Sequence, residues 1–108
     1  MRLWVDDFRP APKGWVWART VTEAIRKIVE SPLILSEVSL DHDIMDSNET
    51  FEPVAYFIKY YCCDECISPI INIHTANPVA AAKMVSILAG YSSGLITEKD
   101  YVQMYADN

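Results

Sequence analysis

The segment Val38-Ser39-Leu40-Asp41-His42-Asp43 decides how this chain is read. Glu37 to Leu40 reads as a short strand, and it runs straight into Asp-His-Asp. The chain has only two histidines, and one stands here. Two other apolar runs end the same way: Leu3-Trp4-Val5 leads into Asp6-Asp7, and Ile70-Ile71-Asn72-Ile73 into His74-Thr75-Ala76-Asn77. Charged and hydrogen-bonding side chains at the downstream ends of three strand-like runs indicate one shared site.

The intervening segments supply the scaffold. Arg2 to Val5 reads as the first strand, and two prolines and a glycine keep Asp6 to Gly14 a loop. Trp15 to Ala18 is aromatic and β-branched enough for a second strand. Thr20 and Glu23 have capping-box spacing, and Val21, Ala24, Ile25, Ile28 and Val29 form an apolar helical stripe that stops near Ser31-Pro32.

After a polar loop from Asp41 to Thr50, a second helix runs from Phe51 to about Cys62. Phe51, Val54, Ala55 and Ile58 face inward, and Pro53 lies in the first turn. Ile70 to Ile73 is the most apolar strand. Asn77-Pro78 reads as cap and first residue of a third helix reaching about Ala89, closed by Gly90. Thr97 and Asp100 suggest a last short helix carrying Tyr101, Val102 and Tyr105, while Leu95-Ile96 is too short to count on as a fifth strand.

Strands alternating with helices predict a parallel sheet with right-handed crossovers. The expected architecture is a three-layer, flavodoxin-like α/β fold with four to five strands flanked by helices, in the order 2-1-3-4. Residues 1–108 then form a single domain. Such sheets bind ligands outside the carboxyl ends of their strands, where the three polar clusters fall.

Composition narrows the function. A net charge of −6 excludes a sequence-independent nucleic-acid coat, which needs a basic face, but leaves room for one small phosphorylated ligand in a local pocket. No apolar run approaches the ~18 residues of a membrane span, and Met1-Arg2-Leu3-Trp4 lacks a signal-peptide core. Three cysteines crowd one segment, Cys62, Cys63 and Cys66, which fits reduced thiols in a cytoplasmic protein; Cys63-x-x-Cys66 has no second pair to complete a zinc site. The apolar and aromatic tail (Tyr91, Leu95, Ile96, Tyr101, Tyr105) suits a neighbouring copy as well as its own core.

The ordered motifs resemble response-regulator receiver domains, with Asp6-Asp7 as the acidic pair, Asp41 at the third-strand end and Thr75-Ala76 after the fourth. The lysine-proline that receivers place after a fifth strand is not visible, and His42 beside Asp41 is foreign to them. Leu3-Trp4-Val5-Asp6-Asp7-x-Arg9-Pro10, Trp15-Val16-Trp17, Ser39-Leu40-Asp41-His42-Asp43 and His74-x-Ala76-Asn77-Pro78 look closer to the cyclic-phosphate-processing receiver-like family. That resemblance implies a receiver-like fold and chemistry on cyclic phosphates, such as RNA ends or cyclic nucleotides. A phosphodiesterase-type hydrolase is the activity expected.

Opening a cyclic phosphodiester needs a base for water, an acid for the leaving oxygen and a counter-charge for the phosphate. Histidine, with an ordinary pKa of ~6.5, suits both proton roles, so His42 and His74 are the expected acid and base. Asp41 or Asp43 would orient an imidazole as the carboxylate of a triad does. Arg9, Thr75 and Asn77 are the expected phosphate-binding residues: a guanidinium fork, a hydroxyl and a capped helix opening. This arrangement requires no cofactor. The rival arrangement holds Mg²⁺ or another divalent cation on Asp6, Asp7 and Asp41, the histidines tilting preference toward a transition metal. Further alternatives are an Mg²⁺-dependent phosphoacceptor domain and a non-catalytic module binding a nucleotide or a partner protein.

Overall fold

A computed structural model describes residues 1–88 and the strand backbone at 95–96. Five strands, β1 (Arg2–Val5), β2 (Val16–Ala18), β3 (Glu37–Leu40), β4 (Ile70–Ile73) and β5 (Leu95–Ile96), alternate with three helices, α1 (Val21–Glu30), α2 (Glu52–Glu65) and α3 (Pro78–Ile87). All strand pairs are parallel, in the order β2-β1-β3-β4-β5. The 2-1-3-4 order holds, and Leu95-Ile96, too short to trust from sequence, pairs with Ile71 and Asn72 as a fifth strand. Two residues carry little periodicity; only the neighbouring edge of β4 makes them a strand. The Gly90 cap and the short helix expected around 97–105 lie outside the described residues.

Period-two alternation gives the sheet two unlike faces. Register places Leu3, Val38 and Ile71 in one row and Val5, Leu40 and Ile73 in the next. All six are fully buried and pack with Ala24, Ile28, Val54, Ala55, Ile58 and Met84 of the helices into one core. The crossovers β2→β3, β3→β4 and β4→β5 step in one direction, so right-handed connections set their helices side by side. α2 accordingly contacts both α1 and α3. The opposite face carries Trp4, Ser39 and Asn72 in one row, polar yet buried.

β1 reaches β2 through the Asp6–Trp15 loop with no helix. Trp15 packs edge-on against Trp4, and Gly14 adopts φ +88° where an added Cβ would meet the Arg2 guanidinium at 2.8 Å.

The helix boundaries follow local chemistry. Thr20 Oγ accepts from the Glu23 N–H at 3.0 Å, as the capping-box spacing predicts. Asn77 Oδ1 accepts from the Val79 and Ala80 N–H groups. α1 buries a narrower stripe than expected: Ala24 and Ile28 are inside, whereas Val29 is exposed because α1 rests on the sheet edge near β2. α2 runs past Cys62 and stops where Cys66 turns left-handed. No helix among the described residues is long and apolar enough to cross a membrane.

Candidate active site

Register builds the site. Val5, Leu40 and Ile73 end their strands side by side, and the ladder continues one residue further through Asp41 N–H to Val5 O and His74 N–H to Leu40 O, both 2.9 Å. Asp6, Asp41 and His74 are therefore adjacent on three neighbouring strands, on the polar face with Trp4, Ser39 and Asn72. All three are buried, and one ligand-type atom from each lies within 4.8 Å of the others.

Asp6 organises the loop that follows it. Its Oδ1 accepts from the Phe8 and Arg9 N–H groups, both at 2.8 Å, which folds the chain back and brings the Arg9 guanidinium over the strand ends. Arg9 Nε donates to Asp6 Oδ2 at 3.0 Å, and Nη2 lies 3.4 Å from Asp41 Oδ1. The indole of Trp4 donates to Arg9 O at 2.9 Å, that of Trp17 to Asp6 O at 2.6 Å.

Behind Asp6 sits His74, 3% exposed. Its Nε2 is 3.0 Å from Asp6 Oδ2, its Nδ1 is 2.6 Å from Ser39 Oγ, and its ring stacks on Trp4 with centroids 4.0 Å apart. Burial holds the imidazole below its ordinary pKa against the pull of Asp6. Burial also opposes charge on Asp6, but hydrogen bonds from His74, Arg9 and Phe8 win and hold that carboxylate below its ordinary value. A neutral imidazole facing an ionised carboxylate carries its proton on Nε2, leaving Nδ1 to accept from the Ser39 hydroxyl. Ser, His and Asp in a line have a triad's composition, but Ser39 is fully buried, so the chain orders Asp6 and offers no nucleophile.

His42 belongs to a second network. Its Nδ1 is 2.8 Å from Asp43 Oδ1 and its Nε2 2.7 Å from Glu52 Oε2, which also lies 3.2 Å from Lys83 Nζ. Burial opposes the charged ring, but the two carboxylates outweigh it and raise the pKa, which favours the imidazolium form of His42. The histidines end neighbouring strands as expected, yet their rings serve different partners.

Between the strand ends and the start of α3 lies an open cleft of about 540 Å³, lined by Asp6, Asp7, Phe8, Arg9, Asp41, Asp43, Met45, Thr75, Ala76 and Asn77. Of the expected residues, Asp6, Asp7, Arg9, Asp41, Asp43, Thr75 and Asn77 line it directly, while His42 and His74 stand behind its carboxylates. Asp7 lines the cleft and accepts from the Met45 N–H at 2.8 Å. Burial raises the Asp41 carboxyl to about 6 against the His42 N–H that it accepts, with Asp6 adding to the rise and Arg9 restraining it. Asp41 is thus a cleft-facing acid that titrates near neutrality.

Ser39, Glu52 and Trp4 complete the two networks without having been singled out as site residues. Alternation along β3 puts Ser39 on the face opposite Val38 and Leu40, a signal present in the sequence. Nothing local marks Glu52, ten residues beyond His42 and brought back by the turn into α2.

The chain's residues 1–90 match the family model described as the cyclic-phosphate processing receiver domain. The chain belongs to this family. Comparison with curated proteins and with solved structures returned no match. Family membership agrees with the sheet order and with a cleft at the carboxyl ends of β1, β3 and β4.

Proposed function

We propose that the cleft hydrolyses a cyclic phosphodiester, carried on a small phosphorylated ligand or an RNA end, to the open phosphomonoester. The observation that carries this reading is the meeting of Asp41 and Arg9 on the cleft floor. A carboxyl with its pKa near 6 exchanges protons at neutral pH, and the guanidinium beside it offers N–H donors to a phosphate. Arg9 is the one cationic side chain among the described residues lining the cleft.

In this reading the phosphate sits against Arg9, the Thr75 hydroxyl and the opening of α3 at Asn77. Asp41 takes a proton from water as its oxygen attacks phosphorus. The ring P–O bond breaks, and the departing oxygen is protonated from the His42–Asp43 pair, with Asp43 as the member that reaches the cleft. Asp41 then releases its proton to solvent and His42 takes one up, which restores the starting state. His74 acts one step removed, fixing Asp6 and through it the position of Arg9. Of the two histidines expected to share the acid and base roles, His42 keeps a proton-handling role, exercised through Asp43, while His74 becomes a positioning residue.

The test is turnover of a panel of cyclic phosphates (2′,3′-cyclic mononucleotides, a cyclic-phosphate-ended RNA, cyclic dinucleotides) by the wild type and by Asp41→Asn, Arg9→Ala, His42→Ala and His74→Ala. Loss of ~10²-fold or more in Asp41→Asn and Arg9→Ala supports the reading. Stoichiometric binding without turnover by folded protein overturns it in favour of a binding module. A stable acyl phosphate on Asp41 after treatment with a small phosphodonor would instead make it a phosphoacceptor.

A further inference from the structure

Asp6 and Asp41 leave the sheet side by side in buried positions, and two such carboxylates need a counter-charge close at hand. The atoms beneath them suit a divalent ion: Asp6, Asp41 and His74 bring two carboxylate oxygens and an imidazole nitrogen within 4.8 Å of one another. Yet the place is taken. Asp6 Oδ2 already receives Arg9 Nε and His74 Nε2, each at 3.0 Å, and Arg9 Nη2 reaches Asp41. With its proton on Nε2, His74 turns no lone pair toward an ion.

We infer that the guanidinium of Arg9 is the resident cation of this site, standing between Asp6 and Asp41 where a divalent metal would stand, so that the native chain excludes such an ion and removal of the guanidinium opens a site for one. Three features beyond the ion pairs support it. The Arg9 N–H is held by Asp6 Oδ1 and the Arg9 carbonyl by the Trp4 indole, so the side chain starts from a fixed backbone. A metal must therefore displace a tethered cation, whose effective concentration is far above that of a free ion. Ser39 explains how the site can convert once Arg9 is gone. Its hydroxyl donates or accepts equally well, so His74 can move its proton to Nδ1 and present the Nε2 lone pair without losing that bond.

This inference holds whether or not the cleft is catalytic, and its test reads metal directly. Mn²⁺ binding is measured by electron paramagnetic resonance on the wild type, Arg9→Ala, Arg9→Lys and the double variant Arg9→Ala/Asp41→Asn, with Mn²⁺ broadening of the His74 ring protons as a site-specific readout. The wild type is expected to leave the His74 signals sharp at millimolar Mn²⁺. Arg9→Ala is expected to bind one Mn²⁺ at least about tenfold more tightly and to broaden them, as removal of a contact-distance positive charge should allow. Arg9→Lys keeps the charge and should resemble the wild type, while the double variant should lose the gained ion. Broadening of His74 in the wild type overturns the inference, as does natively folded Arg9→Ala that gains no Mn²⁺. Should Arg9→Ala fail to fold, Arg9→Met, which keeps the apolar stem, decides by the same two criteria.

Discussion

Nε2 of His74 lies 3.0 Å from Oδ2 of Asp6, although 68 positions separate them in the chain. The contact joins the ends of β1 and β4 across β3 and couples the two groups: the Asp6 carboxylate, held below its ordinary pKa, accepts a hydrogen bond from an imidazole that burial holds below its own. His42, two residues beyond β3, is shifted the opposite way, upward, by the carboxylates of Asp43 and Glu52 on its two ring nitrogens.

The two histidines should therefore titrate on opposite sides of the ordinary value of ~6.5 when followed by NMR. His74 shifts down, so its contribution to stability is complete above the unfolded value and is lost as pH falls through the folded one. His42 shifts up, so its contribution is complete below the unfolded value and is lost as pH rises through the folded one. Urea midpoints of His42→Asn and His74→Asn across pH 5 to 9 check the signs. Two rings titrating together would contradict the separate networks.

Asp41→Asn should stabilise the protein while disabling it. A carboxyl raised from 3.8 to about 6 favours folding when protonated, and that advantage is lost as pH rises through about 6. At pH 7.5 the ionised wild-type group works against the fold, so the variant should gain roughly 2–3 kcal/mol. The gain should vanish near pH 3, where the acid is protonated in both states. Asparagine can still accept the His42 N–H through its own oxygen. Denaturant unfolding at the two pH values is the check, and a destabilised variant at pH 7.5 would rule out the raised pKa.

Asn77 separates structure from ligand binding. Asn77→Ala removes the acceptor for the Val79 and Ala80 N–H groups and should cost ~1 kcal/mol. Asn77→Asp keeps the cap and should leave stability within a few tenths of a kcal/mol. If the helix opening faces the phosphate, the added negative charge raises KM for an anionic substrate. An unchanged KM would confine Asn77 to capping.

Thiol labelling reads the packing of α2. Cys62 is buried in the core and pushed up to about 11, whereas Cys63 and Cys66 are exposed. A thiol-disulfide reagent at pH 8 should modify two cysteines in the native protein and the third only on unfolding, since the thiolate is the reacting form. Rapid labelling of all three would mean that the C-terminal turns of α2 are not packed as described.

Much of the site was legible because a buried strand that ends in charge is costly without a purpose. That reasoning found Asp6, Asp41 and His74, and the topology rule placed them at one edge. Arg9 and Asn77 followed from loop and capping chemistry. The roles within the cluster were less legible. Sequence put the imidazoles at the phosphate because of their ordinary pKa, whereas packing sets them behind Asp6 and Asp43 and gives the near-neutral titration to Asp41. Trp4 reads as packing on a strand, and only the folded arrangement of the rings shows that it stacks on His74.

Periodicity and strand-end chemistry are local properties, and the sequence alone determined what depends on them: a parallel α/β sheet in receiver-like order, its helix caps and its acidic edge. Tertiary structure decided which face of the sheet became polar and buried, which partner each histidine kept, and which cation stands between Asp6 and Asp41. Those outcomes depend on burial and on charges a few ångströms apart that come from distant parts of the chain. Coulomb and desolvation energies are set by those distances, which no spacing along the sequence encodes.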